Sequence, residues 1–198
     1  MSRFIETICY ENGVFQRIGL HNERCNRTRH HFFGLVPDLH LEMYLSVPQN
    51  LKDEIVKCTV TYGIEITNIE YQLYVIRPIR SLKLICDDTI EYPFKYADRT
   101  KLTSLFKLKG QYDDILIIRN RLITDTSYAN AIFLKNKRWY SPNKPLLQGT
   151  RLMSYLSNGL VTPAPLQPGD LSLYSEIRII NAMISIENSP RIPIENVK

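Results

Sequence analysis

Four short runs, Asp114–Arg119, Leu122–Thr126, Ala131–Leu134 and Arg138–Ser141, follow one another with only Asn120-Arg121, Tyr128–Asn130 and Lys135–Lys137 as clear breaks. Runs of this length, rich in Ile and Leu and broken by turn-forming residues, are too short for helices. Their spacing leaves no room for crossover connections, so they predict an antiparallel meander. A β-rich lobe is expected in the C-terminal half of the chain.

The N-terminal half carries a different pattern. Arg3–Glu11 alternates and meets Val14–Ile18 across Asn12-Gly13, two residues that tolerate positive φ, which predicts a β-hairpin. His21–Phe33 reads as a helix stopped at Gly34, and Asn50–Tyr62 as a second helix with Leu51, Ile55, Val56 and Val60 inward and Gly63 as its stop. Ile64–Ile76 and Ser81–Cys86 read as strands. A boundary near Asp88 divides the chain into a small α/β lobe, 1–88, and a β-rich lobe, 89–198. In the second lobe Thr100–Leu108 and Thr150–Leu156 read as short helices, and Glu176–Ile186 as a last strand.

With 198 residues and 44% hydrophobic content, each lobe can bury a core. The net charge of +5 is spread along the chain, so it suits anionic small ligands and points to no nucleic-acid partner. Cys9, Cys25, Cys58 and Cys86 lack metal-ligand or C-x-x-C spacing and read as buried or semi-buried thiols. His21, His30, His31 and His40 read as surface or helix-end residues, and no metal site is expected. The N-terminal residues hold no apolar run of signal-peptide length, and no stretch reaches the ~20 apolar residues of a membrane span. A cytoplasmic protein with no membrane partner is the expectation.

Chemistry concentrates at a few stations. Lys95 lies in Glu91-Tyr-Pro-Phe-Lys-Tyr-Ala-Asp-Arg99, and downstream Asp125 lies in Ile123-Thr-Asp-Thr-Ser-Tyr-Ala-Asn130. Taken singly, Lys95 reads as a solvated lysine and Asp125 as a turn residue. Four further stations surround them in order: Phe4-Ile-Glu-Thr-Ile8, His21-Asn-Glu-Arg24, Pro145-Leu-Leu-Gln-Gly149-Thr-Arg151 and Asn181-Ala-Met183. This ordered set resembles the fold-type IV pyridoxal phosphate enzymes, the class IV aminotransferases, from Phe4 to about Ile186.

The resemblance implies an α+β, two-lobed fold of the D-amino-acid aminotransferase type with an abbreviated N-terminal lobe, a homodimer, and pyridoxal 5'-phosphate as cofactor. Lys95 would form the Schiff base and move protons at the substrate's Cα. Asp125, where the family usually has glutamate, would keep the pyridine nitrogen protonated, with Asn130 five residues on. Arg24 would offer its fork to the phosphate, and Gly149, Thr150 and Arg151 the glycine turn at a helix N-terminus. Asn181 and Ala182 match the last active-site turn. Arg27 and Arg29 read as solvated, and Arg77 before Pro78 is a candidate for the substrate carboxylate.

Within the family, Thr7, the Lys95-Tyr-Ala-Asp-Arg99 segment and Asn181-Ala-Met183 resemble the 4-amino-4-deoxychorismate lyases, which form p-aminobenzoate and pyruvate for folate biosynthesis. Thr7 would then be the second catalytic residue. An amino acid aminotransferase of branched-chain or D-amino acid type would use the same Lys95, Asp125 and Arg24, and stands as the alternative.

Overall fold

The Asn12-Gly13 turn closes with φ of 52° and 78°, and folds β1 (Phe4–Glu11) back onto β2 (Val14–Phe15). Positive φ at both turn residues matches the twist of the two strands, which is why this dipeptide sets the hairpin. The computed structural model describes residues 3–198. Among them the chain forms two units, one running to Val75 and taking in Phe94–Asp98, the other comprising Ile76–Pro93 and Arg99–Lys198.

In the first unit, α1 (Ile18–Phe33) follows the hairpin, and the sheet runs in the order β2-β1-β3-β4. Strands β3 (Val56–Tyr62) and β4 (Ile66–Leu73) are antiparallel to their neighbours. The helix expected over Asn50–Tyr62 is therefore corrected to one turn of 3-10 helix at Gln49–Leu51 followed by β3. Val56, Cys58, Val60 and Tyr62 are buried while Lys57, Thr59 and Thr61 are half-buried, a period of two. β-Branched residues with partners on both edges fit a pleated sheet better than a helix. Phe4, Ile8, Cys25, Leu41, Val56, Cys58, Val60 and Tyr62 form the core.

Phe94–Asp98 returns to this unit along the free edge of β1. Ile5 N donates to Lys95 O at 2.9 Å and Ala97 N to Arg3 O at 2.9 Å, with Phe4 opposite Tyr96. The Phe94 and Tyr96 rings both pack on Phe32, and Tyr96 also lies 5.3 Å from Phe4.

In the second unit, β5 (Leu82–Cys86) and β6 (Asp114–Arg119) are parallel, with α2 (Thr100–Lys107) in the connection between them. The meander follows as β6, β7 (Leu122–Thr126), β8 (Asn130–Lys135) and β9 (Arg138–Pro142), each antiparallel to the one before. Asn120-Arg121 and Asn136-Lys137 turn it with positive φ at both residues. Helix α3 (Thr150–Ser157) then carries the chain to β10 (Val161–Ala164), parallel to β9.

The strand expected over Glu176–Ile186 stops at Ile180, as β11 (Glu176–Ile180), paired with β8 and with β12 (Arg191–Pro193). Asn181 ends it, because its Oδ1 accepts the N–H groups of Met183 and Ile184 at 2.9 and 3.0 Å, a local turn that competes with the ladder. Ile132, Leu152, Val161 and Ile180 seal α3 onto the sheet. Three of the cysteines are buried thiols as expected, whereas Cys86, the last residue of β5, is exposed.

Candidate active site

The strand that opens the chain has an acid on its inner face. Phe4, Glu6 and Ile8 alternate inward along β1, and Glu6 is wholly buried. A carboxylate cannot remain ionised in such a place without partners, and α1 supplies them from His21 and Arg24, one turn apart on its buried face. Arg24 donates from Nε to Glu6 Oε1 at 2.8 Å and from Nη2 to Glu6 Oε2 at 2.5 Å; His21 Nδ1 donates to the same Oε2 at 2.6 Å. Burial raises the Glu6 pKa, but the Arg24 guanidinium and the His21 hydrogen bond outweigh it and hold the carboxyl at about 2. Burial lowers His21 more than Glu6 raises it, so its ring is the neutral form with the proton on Nδ1.

Two readings of this helix are corrected here. His21 is fully buried rather than a surface residue, because Glu6 needs it. Arg29, read as solvated, is buried and donates to Ile64 O at 3.0 and 2.7 Å, Pro37 O at 2.7 Å and Asn26 Oδ1 at 2.9 Å, thereby tying down loop backbone. Arg27 is exposed, as expected.

Thr7 occupies the other face of β1. It pairs in register with Thr59, and alternation places it on the same face as Ile5, whose N–H pairs with Lys95 O. Arg24, bound to Glu6, lies against the face of β1 opposite to Thr7.

The second unit gathers the remaining predicted residues. Asn130 pairs across the sheet with Asp125 on one side and Ile180 on the other. Its Nδ2 donates to Asp125 Oδ1 and to Leu147 O, both at 2.8 Å, and Leu147 N donates to Asp125 Oδ2 at 3.0 Å. Both Asp125 oxygens are held, yet burial pushes its pKa up to about 7 against the pull of these donors. A cation brought against this acid by a ligand would restore its ionised form.

Gly149 precedes α3 with φ −68° and ψ 141°, a conformation open to any residue. Space is what demands glycine: a Cβ there would stand 2.2 Å from Asn130 Oδ1. Thr150 follows, buried at the first position of α3. Arg151 turns inward, with Nε donating to Asn181 O at 2.7 Å and Nη2 to Ala182 O at 3.0 Å, so its fork positions the Asn181 turn. Arg99 donates from Nη2 to Ser127 O at 2.6 Å, fixing the turn between Asp125 and Asn130. Arg77 stacks on the Tyr128 ring, 4.7 Å from its centroid.

Glu6 and Leu147 are the residues that sequence reasoning missed. Leu147 contributes only backbone groups and leaves no trace in side-chain identity. Glu6 did leave one, as an acid on the inward phase of an apolar strand.

No family model matches the chain. An uncharacterized protein of Haemophilus influenzae is 38% identical over 186 residues, which cover 92% of this chain and 98% of that protein. The crystal structure of a provisionally assigned 4-amino-4-deoxychorismate lyase from Haemophilus somnus is 31% identical, with a TM-score of 0.87 over 92% of this chain and 97% of that one. A hypothetical aminotransferase from Mycobacterium tuberculosis, in a form with pyridoxal phosphate bound, shares the fold at 11% identity, with a TM-score of 0.76 over 100% of this chain and 81% of that one.

Two outcomes follow from this geometry. Gly149→Ala drives Asn130 off Asp125 and Leu147 and lowers stability by about 1–3 kcal/mol, measurable by chemical denaturation. Glu6, whose folded pKa near 2 lies below its ordinary 4.5, contributes stability that is full above pH 4.5 and is lost as pH falls toward 2. That contribution is about 3 kcal/mol. The difference in Tm between the protein and its Glu6→Gln variant therefore shrinks across that window.

Proposed function

The chain belongs to the class IV aminotransferase family of fold-type IV pyridoxal phosphate enzymes, and within it we propose a lyase that converts 4-amino-4-deoxychorismate to p-aminobenzoate and pyruvate. The observation that supports this reading is Thr7 on β1, the strand along whose edge the Lys95 backbone runs. The name carried by the Haemophilus somnus protein, 31% identical, supports the same choice.

The residues present fit the cofactor. Asp125 is a buried acid held on both oxygens, and a protonated ring nitrogen set against it would restore its ionised form. When bound, pyridoxal phosphate supplies an electron sink for the charge that develops at the substrate's Cα. Asp125, its carboxylate fixed by Asn130 and Leu147, would keep the proton on the ring nitrogen. Arg24 would offer its guanidinium to the phosphate. Lys95 would hold the cofactor through its amine and would take the proton from the substrate's Cα.

Elimination then needs a proton at the oxygen of the departing enolpyruvyl group, and the Thr7 hydroxyl would relay to it the proton that Lys95 takes from Cα. Loss of the Cα proton and of that group leaves an aromatic ring, so the reaction is driven forward and ends without amino transfer. The lyase reading places the protein in folate biosynthesis, in the cytoplasm and as a homodimer. Among the described residues no helix is long and apolar enough to cross a membrane.

The test offers the purified protein 4-amino-4-deoxychorismate in parallel with pairs of amino acid and keto acid. The lyase forms p-aminobenzoate and pyruvate without accumulating the pyridoxamine form of the cofactor; turnover with an amino acid pair assigns it as an aminotransferase instead. Thr7→Val lowers lyase turnover about a hundredfold or more while cofactor remains bound, and unchanged turnover removes Thr7 from the chemistry.

A further inference from the structure

We propose that Glu6 is a positioning residue for anion binding: its buried carboxylate fixes the Arg24 guanidinium in the orientation that recognises the phosphate end of the cofactor. The inference rests on the assignment of Arg24 to that phosphate and adds a residue to which no role has been given.

Three charge-assisted hydrogen bonds converge on this one carboxylate. Oε1 takes Arg24 Nε, and Oε2 takes both Arg24 Nη2 and His21 Nδ1. The guanidinium is planar and its donors lie in a fixed fork, so a bidentate grip on the Nε–Nη2 edge sets the plane of the whole group. Burial on both sides, with the Arg24 side chain 8% exposed and Glu6 at 0%, removes the competing water that would let the pair swing apart. An arginine left to itself has four flexible side-chain bonds and loses much of its freedom on meeting an anion. Held by Glu6, it is already ordered, and binding an anion costs less.

His21 completes the arrangement from the same helix face. Its neutral ring donates to Oε2 without adding a second positive charge, so the arginine remains the cation of the group. The other titratable groups that interact with Glu6 or His21 are Arg24, Arg17, Cys25 and Tyr62.

Charge and geometry can be separated by two substitutions. Glu6→Gln keeps the shape, but its amide NH2 must face at least one donor of Arg24 or His21, whichever way it is turned, so the grip on the fork is broken. Glu6→Asp keeps the charge but is one methylene shorter and cannot reach both donors of the Arg24 edge together with His21.

The measurement is the affinity of the protein for pyridoxal phosphate and for pyridoxal, titrated separately by intrinsic fluorescence without substrate. Their ratio isolates the phosphate. In the unmodified protein pyridoxal phosphate binds far more tightly than pyridoxal. In both variants that ratio falls about tenfold or more, with pyridoxal affinity little changed. Since both variants are predicted to fall, either one suffices if the other does not fold. A merely structural role would weaken both ligands together and leave the ratio where it was, and that result overturns the proposal. So does a rise in the ratio in Glu6→Gln, which would mean that Glu6 only offsets the Arg24 charge. Failure of the unmodified protein to distinguish the two ligands instead overturns the assignment of Arg24 to the phosphate, a separate result.

Discussion

The buried carboxylate of Glu6 is the constraint around which the N-terminal unit is organised. An ionised acid at 0% exposure would be prohibitively destabilised in an apolar core, yet here it stays ionised because α1 brings Arg24 and His21 to it. Removing one member of such a group leaves a buried charge unmatched, which costs about 3–5 kcal/mol. Strand β1 and helix α1 are therefore locked in one relative register by electrostatics as well as by the packing of Phe4, Ile8 and Cys25. The same strand presents Thr7 on its other face and receives Phe94–Asp98 along its edge, so the placement of Lys95 follows from the placement of β1.

The C-terminal unit solves a related problem with hydrogen bonds in place of an ion pair. Asp125 is buried with N–H donors on both oxygens, and they fix its geometry without making its charge easy to hold. The outcome is an acid whose protonation responds to what is placed against it. Asn130 links it to Leu147 and crowds Gly149, so the acid and the helix N-terminus are parts of one packed cluster rather than independent stations. Arg151 extends that cluster to the Asn181 turn.

Much of this was legible in the chain itself. The meander from β6 to β9 and the β1–β2 hairpin could be read because turn chemistry is local: Asn12-Gly13, Asn120-Arg121 and Asn136-Lys137 all adopt the positive φ that their positions require. Strand β3 was misread as a helix because Leu51, Ile55, Val56 and Val60 mimic a helical stripe, and its alternation is decided by pairing with β1 and β4, which no local window contains. The end of β11 was overrun for the opposite reason, since the Asn181 side chain stops a run that apolar residues continue. Motif order singled out Arg24, Asp125, Asn130 and Gly149. It could not reveal that Arg24 grips an acid on a neighbouring strand, or that Gly149 is required by Asn130 rather than by its own φ. Arg29 was missed because nothing in a helix sequence tells a solvated arginine from one that ties down a loop.

The central claim is that Lys95, delivered to the edge of β1 by its flanking aromatic residues, is the amine that carries the cofactor. Borohydride reduction of the protein after incubation with pyridoxal phosphate, followed by peptide mapping, tests it directly. A pyridoxyl group on the peptide that contains Lys95, lost in Lys95→Ala, is the predicted result; a protein that takes up no label, or takes it on another lysine, contradicts the account.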